Sequence, residues 1–202
     1  MNLSVSNLSC QRGERLLFEN ISFELNPHQW CHVTGENGAG KTSLLRLCAG
    51  LTNPLSGLIK WGGIPLKEDT DRFHQDTLYL GHANALKEEL SPLENLQLMS
   101  QLDGSPATEE AILTVLDRWG LLGREELPVR VLSAGQRRRV LLSRLTLKPC
   151  PLWILDEPFN ALDRRAIQTL YELFNQHLEQ GGLLLITSHQ AIEMTDGMSV
   201  NL

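Results

Sequence analysis

His32–Leu51 reads HVTGENGAGKTSLLRLCAGL. A short apolar run ends at Thr34, a glycine-spaced loop follows, and Leu44, Leu45, Leu47 and Cys48 then recur at helical spacing until Gly50. Strand, loop and helix are thus predicted in that order. Within the loop, Gly35–Thr42 fits G-x-x-x-x-G-K-[ST]. The glycines allow a backbone curl that turns N–H groups inward, and the helix N-terminus adds positive potential, so the loop suits phosphate. Lys41 can reach the β- and γ-phosphates, and Thr42 can ligate Mg²⁺. A chance match in a chain of this length has odds of roughly one in a hundred. The flanking strand and helix strengthen it further. Gly35, Glu36, Asn37, Gly38, Ala39, Gly40, Lys41, Thr42 and Ser43 are therefore the expected nucleotide-binding residues, with ATP and Mg²⁺ as cofactors.

Two further apolar runs belong with this loop. LWILDEP, Leu152–Pro158, carries Asp156 and Glu157 at its end, and GLLLITSH, Gly182–His189, ends at a histidine. Both suit strands buried on two faces of a parallel sheet. Two adjacent acids at a strand tip repel each other and call for a task. With Mg²⁺ on the phosphates, Asp156 can hold the ion through water, while Glu157 orients or deprotonates the attacking water.

The remaining pattern places these pieces in an α/β core. Residues 3–33 alternate apolar and polar, with a turn at Arg12–Glu14 and a break at Asn26-Pro27, which predicts hairpin-like strands. GLIKWGGIPL predicts two short strands around Gly62-Gly63. Ser91-Pro92-Leu93-Glu94 is a capping box with proline at the first helical position. The next helix carries Ile112, Leu113, Val115, Leu116 and Trp119 on its buried face. Ser133-Ala134-Gly135-Gln136 caps a third helix running to about Leu147, and Asp163 can cap a fourth. The expectation is a single domain, 1–202, with a helical insertion at about 85–148.

Bulk properties narrow the class. A net charge of −6 opposes wide phosphate-backbone binding, so no nucleic-acid partner is expected. Arg137-Arg138-Arg139 reads as a solvated helix face with one or two structural arginines. No apolar run approaches the ~20 residues of a membrane helix, and the start, MNLSVSNLSC, lacks the features of a signal peptide. A cytoplasmic protein is expected, reaching a membrane through a partner. Cys10, Cys31, Cys48 and Cys150 are scattered without CxxC spacing, which reads as reduced core thiols.

Leu132-Ser133-Ala134-Gly135-Gln136 discriminates among P-loop proteins. Here the chain resembles the ATP-binding-cassette (ABC) ATPases, whose signature is LSGGQ, and the resemblance covers nearly its whole length. The implied fold is an ABC-type P-loop NTPase: a mixed sheet with a parallel core, N-terminal antiparallel strands and a helical subdomain. The resemblance also implies a head-to-tail homodimer in which the signature of one chain meets the γ-phosphate held by the other. Asn160-Ala161-Leu162-Asp163 matches the D-loop, with Asp163 reaching across the dimer. His189, 32 residues after Glu157 (189 − 157), matches the switch histidine that contacts the γ-phosphate.

Two positions depart from the general pattern. Arg12 stands where the family has an adenine-stacking aromatic; a guanidinium plane can also stack on a purine. His82 stands where the family has a glutamine that touches Mg²⁺ and the lytic water, and a neutral imidazole can still offer an acceptor nitrogen. The spacing from Lys41 to Ser133 is compact, 92 residues (133 − 41), which leaves no room for another inserted domain.

Both departures fit one branch. GENGAGKTSLLRLCAGL, LYLGH, LSPLENL, LSAGQRRRVLLSRL and LWILDEPFNALD together resemble the ATP-binding subunits of the cytochrome c maturation haem exporter. That resemblance implies an ATP hydrolase held peripherally on the cytoplasmic face of the bacterial inner membrane, with a separate membrane permease and accessory haem-handling subunits. Hydrolysis would serve haem export or release of a haem-loaded periplasmic chaperone. The alternatives are the ATPase of another ABC transporter with unknown cargo, or a soluble ABC protein acting on nucleic acid.

Overall fold

The computed structural model describes residues 1–83, 85–195 and 197–202. They form two compact units, one of 1–79, 150–157 and 176–202, the other of 80–149 and 158–175.

The first unit holds two sheets. β1 (Leu3–Arg12) and β2 (Arg15–Leu25) form an antiparallel hairpin, from Leu3 opposite Leu25 to Arg12 opposite Arg15. Between them Gly13 adopts φ +60°, as a tight turn requires. β4 (Ser56–Trp61) pairs antiparallel with the other edge of β1, and β5 (Ile64–Pro65) follows, giving the order β2-β1-β4-β5.

The second sheet comprises β3 (Trp30–Thr34), β6 (Thr77–Leu80), β7 (Leu152–Asp156), β8 (Leu183–Thr187) and β9 (Met198–Asn201), ordered β6-β7-β8-β3-β9. The pairs β7/β8, β8/β3 and β3/β9 are parallel. The antiparallel pairs β1/β2, β1/β4 and β4/β5 thus lie in one sheet and these three parallel pairs in the other. β7 and β8 are buried at every position, which explains why their sequences are apolar throughout rather than alternating. α1 (Lys41–Cys48) buries Leu44, Leu45, Leu47 and Cys48 in one core with Leu3, Val5 and Ile59 of the antiparallel sheet and Val33, Ile154 and Leu185 of the parallel one.

Two elements of this unit have no clear sequence signal. α2 (Thr70–Gln75) is too short for periodicity to register, although Asp69 caps it by accepting from Arg72 N at 3.4 Å. β9 is held by pairing with the sequence-distant β3.

The second unit is helical. α3 (Pro92–Leu102) has the anticipated capping box: Ser91 Oγ accepts from Glu94 N at 3.2 Å, and Ser91 N donates to Glu94 Oε2 at 2.8 Å. α4 (Glu109–Arg118) buries Ile112, Val115 and Leu116, with Trp119 beyond its end, while Leu113 is half-buried. A 3₁₀ turn, Val129–Val131, leads to α5 (Ala134–Leu142) and α6 (Arg144–Leu147). The helix expected to run unbroken to Leu147 is interrupted at Ser143, whose hydroxyl donates to Arg139 O at 2.9 Å. α7 (Arg164–Glu179) begins after Asp163, which accepts from Ala166 N at 2.9 Å and so caps it. No helix among the described residues is long and apolar enough to cross a membrane.

Candidate nucleotide site

In open parallel sheets, ligands bind beyond the carboxyl ends of the strands. β3, β7 and β8 end in register: Thr187 lies opposite Val33 on one side and Asp156 on the other. The phosphate loop, the two carboxylates and the histidine segment therefore leave the sheet side by side.

The loop Gly35–Gly40 turns left-handed at each of its three glycines, with φ of +140°, +82° and +111°. At Gly40 a side chain would meet both strain and crowding, since a Cβ would lie 3.0 Å from Phe18 Cδ1 and 3.2 Å from Leu17 Cβ. No side chain caps α1 and its first turn carries no acid, so its N-terminus stays open toward an anion. Lys41 Nζ donates to the Gly35 and Glu36 carbonyls at 2.8 and 3.2 Å, holding the ammonium across the loop.

Thr42 Oγ1 donates to Asp156 Oδ2 at 2.8 Å. Asp156 is 2% exposed, and its Oδ1 accepts from the buried Thr187 hydroxyl at 2.7 Å. Glu157 follows with φ +51°, a sparsely populated conformation for a residue with a side chain. Its N–H donates to Thr187 Oγ1 at 2.9 Å, and its Oε2 accepts from His189 N at 3.2 Å. His189 Nε2 lies 3.5 Å from Glu157 Oε1. The structure therefore brings Lys41, Thr42, Asp156, Glu157 and His189 together. It adds Thr187 and His32, whose Nε2 donates to Ser188 O at 3.1 Å. Both additions escaped the sequence reading. The available signal was a hydroxyl ending an otherwise apolar strand.

Nearby groups stay uncharged. Burial, then the Asp156 carboxylate, pushes the Tyr79 phenol up, partly offset by Arg46. Burial pushes the Cys31 thiol up to about 12 and raises Cys48 as well, so both remain protonated. All four cysteines are buried thiols outside any disulfide, as expected of core positions. No metal-binding cluster of three or more His, Cys, Asp or Glu occurs among the described residues. Arg12 is exposed at the end of β1.

The second unit carries the signature segment. Ser133 Oγ accepts from Gln136 N at 3.2 Å and Gln136 Oε1 accepts from Ser133 N at 2.9 Å, closing the S-x-x-Q cap of α5. A Cβ on Gly135 would lie 2.5 Å from Ala161 O, so glycine is what lets the Asn160–Asp163 segment approach. Ala161 itself has φ +62°. Asp163 also accepts from Arg139 Nη2 at 2.9 Å. Arg138 is 3% exposed and donates to Gly81 O at 3.0 Å. The arginine run thus does structural work, and one of its members anchors the backbone beside His82, which is exposed in a bend.

The ABC transporter family matches residues 18–160, a span from within β2 through the phosphate loop and signature to Asn160. The chain belongs to the ABC transporter family. It is an ATP-binding cassette, and its reaction is ATP hydrolysis. It is similar to the cytochrome c biogenesis ATP-binding export protein CcmA of Methylococcus capsulatus, 49% identical over 99% of this chain and 97% of that one. The Haemophilus influenzae protein of the same name is 44% identical over 99% of this chain and 94% of that one. A solved ATP-binding cassette, dimeric and bound to ADP and phosphate after hydrolysis, superposes with a TM-score of 0.81 over 93% of this chain and 88% of that one; at 20% identity it supports the fold.

Proposed function

We infer that this cassette is the ATP-hydrolysing subunit of a bacterial inner-membrane complex that exports or delivers haem for c-type cytochrome biogenesis. The observation that carries this reading is the 44–49% identity, over nearly the whole chain, to export proteins named for cytochrome c biogenesis. The hydrolytic half of the reading rests on the Thr42–Asp156–Glu157–His189 arrangement.

Residues 35–43 bind the triphosphate, with Lys41 moving from the loop carbonyls to the β- and γ-phosphates. The Thr42 hydroxyl and Asp156 carboxylate, 2.8 Å apart, form the hard oxygen pair that Mg²⁺ favours. They fit the ion, and His82 is assigned as an additional contact to it or to the lytic water. When bound, Mg²⁺ supplies neutralisation of phosphate charge. Glu157 accepts a proton from the attacking water as its oxygen bonds to the γ-phosphorus and the bond to ADP breaks. His189, held against Glu157, contacts the γ-phosphate. Arg12 stacks on adenine.

The signature Leu132–Gln136 acts in trans. It offers the Ser133 hydroxyl and the α5 N-terminus to the γ-phosphate of a head-to-tail partner, with Asp163 reaching across. A separate permease and accessory haem-handling subunits hold the cassette peripherally at the cytoplasmic face. Exposed Leu122 and Val131 of the helical unit support a docking role there. Residues 1–202 act as one ATP-binding domain, with a helical subdomain at about 85–148. Deleting the gene and staining for covalently attached haem tests the cargo: c-type cytochromes should disappear, and normal amounts would refute it.

A further inference from the structure

Thr187 ends β8, Leu183–Thr187, a strand buried at every position, and is itself 0% exposed. Valine would fill the same space, so a hydroxyl here has to be justified by what it binds. Thr187 Oγ1 donates to Asp156 Oδ1 at 2.7 Å and accepts from Glu157 N at 2.9 Å. Its proton is committed to one acidic residue and a lone pair to the next. The second bond matters because it holds the N–H at the point where Glu157, with φ +51°, leaves the strand conformation. The first matters because Asp156 Oδ2 faces the Thr42 hydroxyl at 2.8 Å, so hydroxyls on both oxygens define the plane of the carboxylate. The next two residues extend the same link: Ser188 O accepts from His32 Nε2 at 3.1 Å, and His189 N donates to Glu157 Oε2 at 3.2 Å.

We propose that Thr187 is a positioning residue for ATP hydrolysis, bridging Asp156 and Glu157 so that the metal-holding carboxylate and the base are placed by one buried side chain. Thr187 is fully buried and acts through these two residues rather than on the reacting atoms. It orients Asp156 toward the ion and locks the backbone turn that aims Glu157. This rests on the roles assigned above to Asp156 and Glu157.

The test uses the full chain with Thr187→Val and Thr187→Ser, measuring ATP binding with and without Mg²⁺, kcat, KM and the thermal midpoint. In Thr187→Val, kcat and the affinity gained on adding Mg²⁺ should each fall on the order of ten- to a hundredfold, the weight of a hydrogen bond to an ionised group. Mg²⁺-free ATP affinity should stay within about threefold of wild type. Thr187→Ser, which keeps the hydroxyl, should restore both losses to within about threefold. Should the valine variant fail to fold, Thr187→Ala carries the same expectation. An undiminished Mg²⁺ response in Thr187→Val would overturn the proposal. So would a serine variant as impaired as the valine one, or equal loss of Mg²⁺-free binding, since either makes the residue a packing element. Asp156→Asn, run alongside, tests the assignment of Asp156 by itself: a retained Mg²⁺ response there would sink that assignment whatever the Thr187 variants do.

Discussion

Replacing Glu157 by glutamine isolates charge from shape. In the native site His189 N donates to Oε2 at 3.2 Å and the His189 ring nitrogen lies 3.5 Å from Oε1. A glutamine amide cannot accept at both positions. Its oxygen must face the backbone N–H, which turns the NH₂ group toward Nε2 and selects the imidazole tautomer that accepts there. The side chain keeps its place, and the Thr187 contact to the Glu157 backbone is untouched. Exchanging a charged acceptor for a neutral one in a group 8% exposed costs on the order of 1 kcal/mol of contact energy. Relief from burying a carboxylate offsets part of that cost. The fold and ATP binding should therefore survive. Turnover should fall 10²–10⁴-fold, about 3–5 kcal/mol on the barrier, because the amide cannot take the proton from water. The assay pairs steady-state phosphate release with calorimetric ATP binding, and the variant should accumulate as an ATP-bound dimer. Hydrolysis within about tenfold of wild type, with intact binding, would refute Glu157 as the base.

Other outcomes follow from the same coordinates. Lys41→Ala should weaken nucleotide engagement rather than the hydrolytic step, seen as loss of ATP binding with an unchanged thermal midpoint. Gly135→Ala would press a methyl group onto Ala161 O, so a loss of about 1–3 kcal/mol is expected in denaturant melts, together with reduced turnover. His82→Gln exchanges one neutral acceptor for another and should keep steady-state phosphate release within about tenfold of wild type, whereas His82→Ala should lower it further; equal rates in the two variants would reduce His82 to a spacer. His177 stacks on Trp153 at 3.7 Å, and burial lowers its pKa to about 4. The unfolded chain, titrating near the ordinary value of about 6.5, takes up that proton first, so folding stability is lost as pH falls from about 6.5 toward 4. Urea melts at pH 7.5 and 5 should differ by about 2 kcal/mol more in the wild type than in His177→Phe.

The sequence by itself determined whatever depends on local chemistry. The glycine spacing of the phosphate loop, the Ser91 and Ser133 caps and the apolar runs of β7 and β8 are written in neighbouring residues, because dihedral preference, capping and burial act within a few positions of the chain. Asp156 and Glu157 were legible as candidate site residues because they end an apolar run downstream of the phosphate loop, whereas His189 was legible through its match to the family's switch histidine, 32 residues after Glu157. Tertiary structure alone decided which atoms meet. The short edge strand β9 exists because β3 offers it an open ladder, and the division into two sheets depends on pairings between distant segments. Which member of the arginine run is structural was also left to the fold: Arg138 is the buried one, and its guanidinium donates to the Gly81 carbonyl. Thr187 is the clearest case. In the sequence it is one more β-branched residue closing a strand, and its bridge between Asp156 and Glu157 arises only from parallel pairing that sets Thr187 beside Asp156, 31 residues away. A hydrogen bond depends on the positions of both partners, and a linear sequence specifies such positions only through the completed fold.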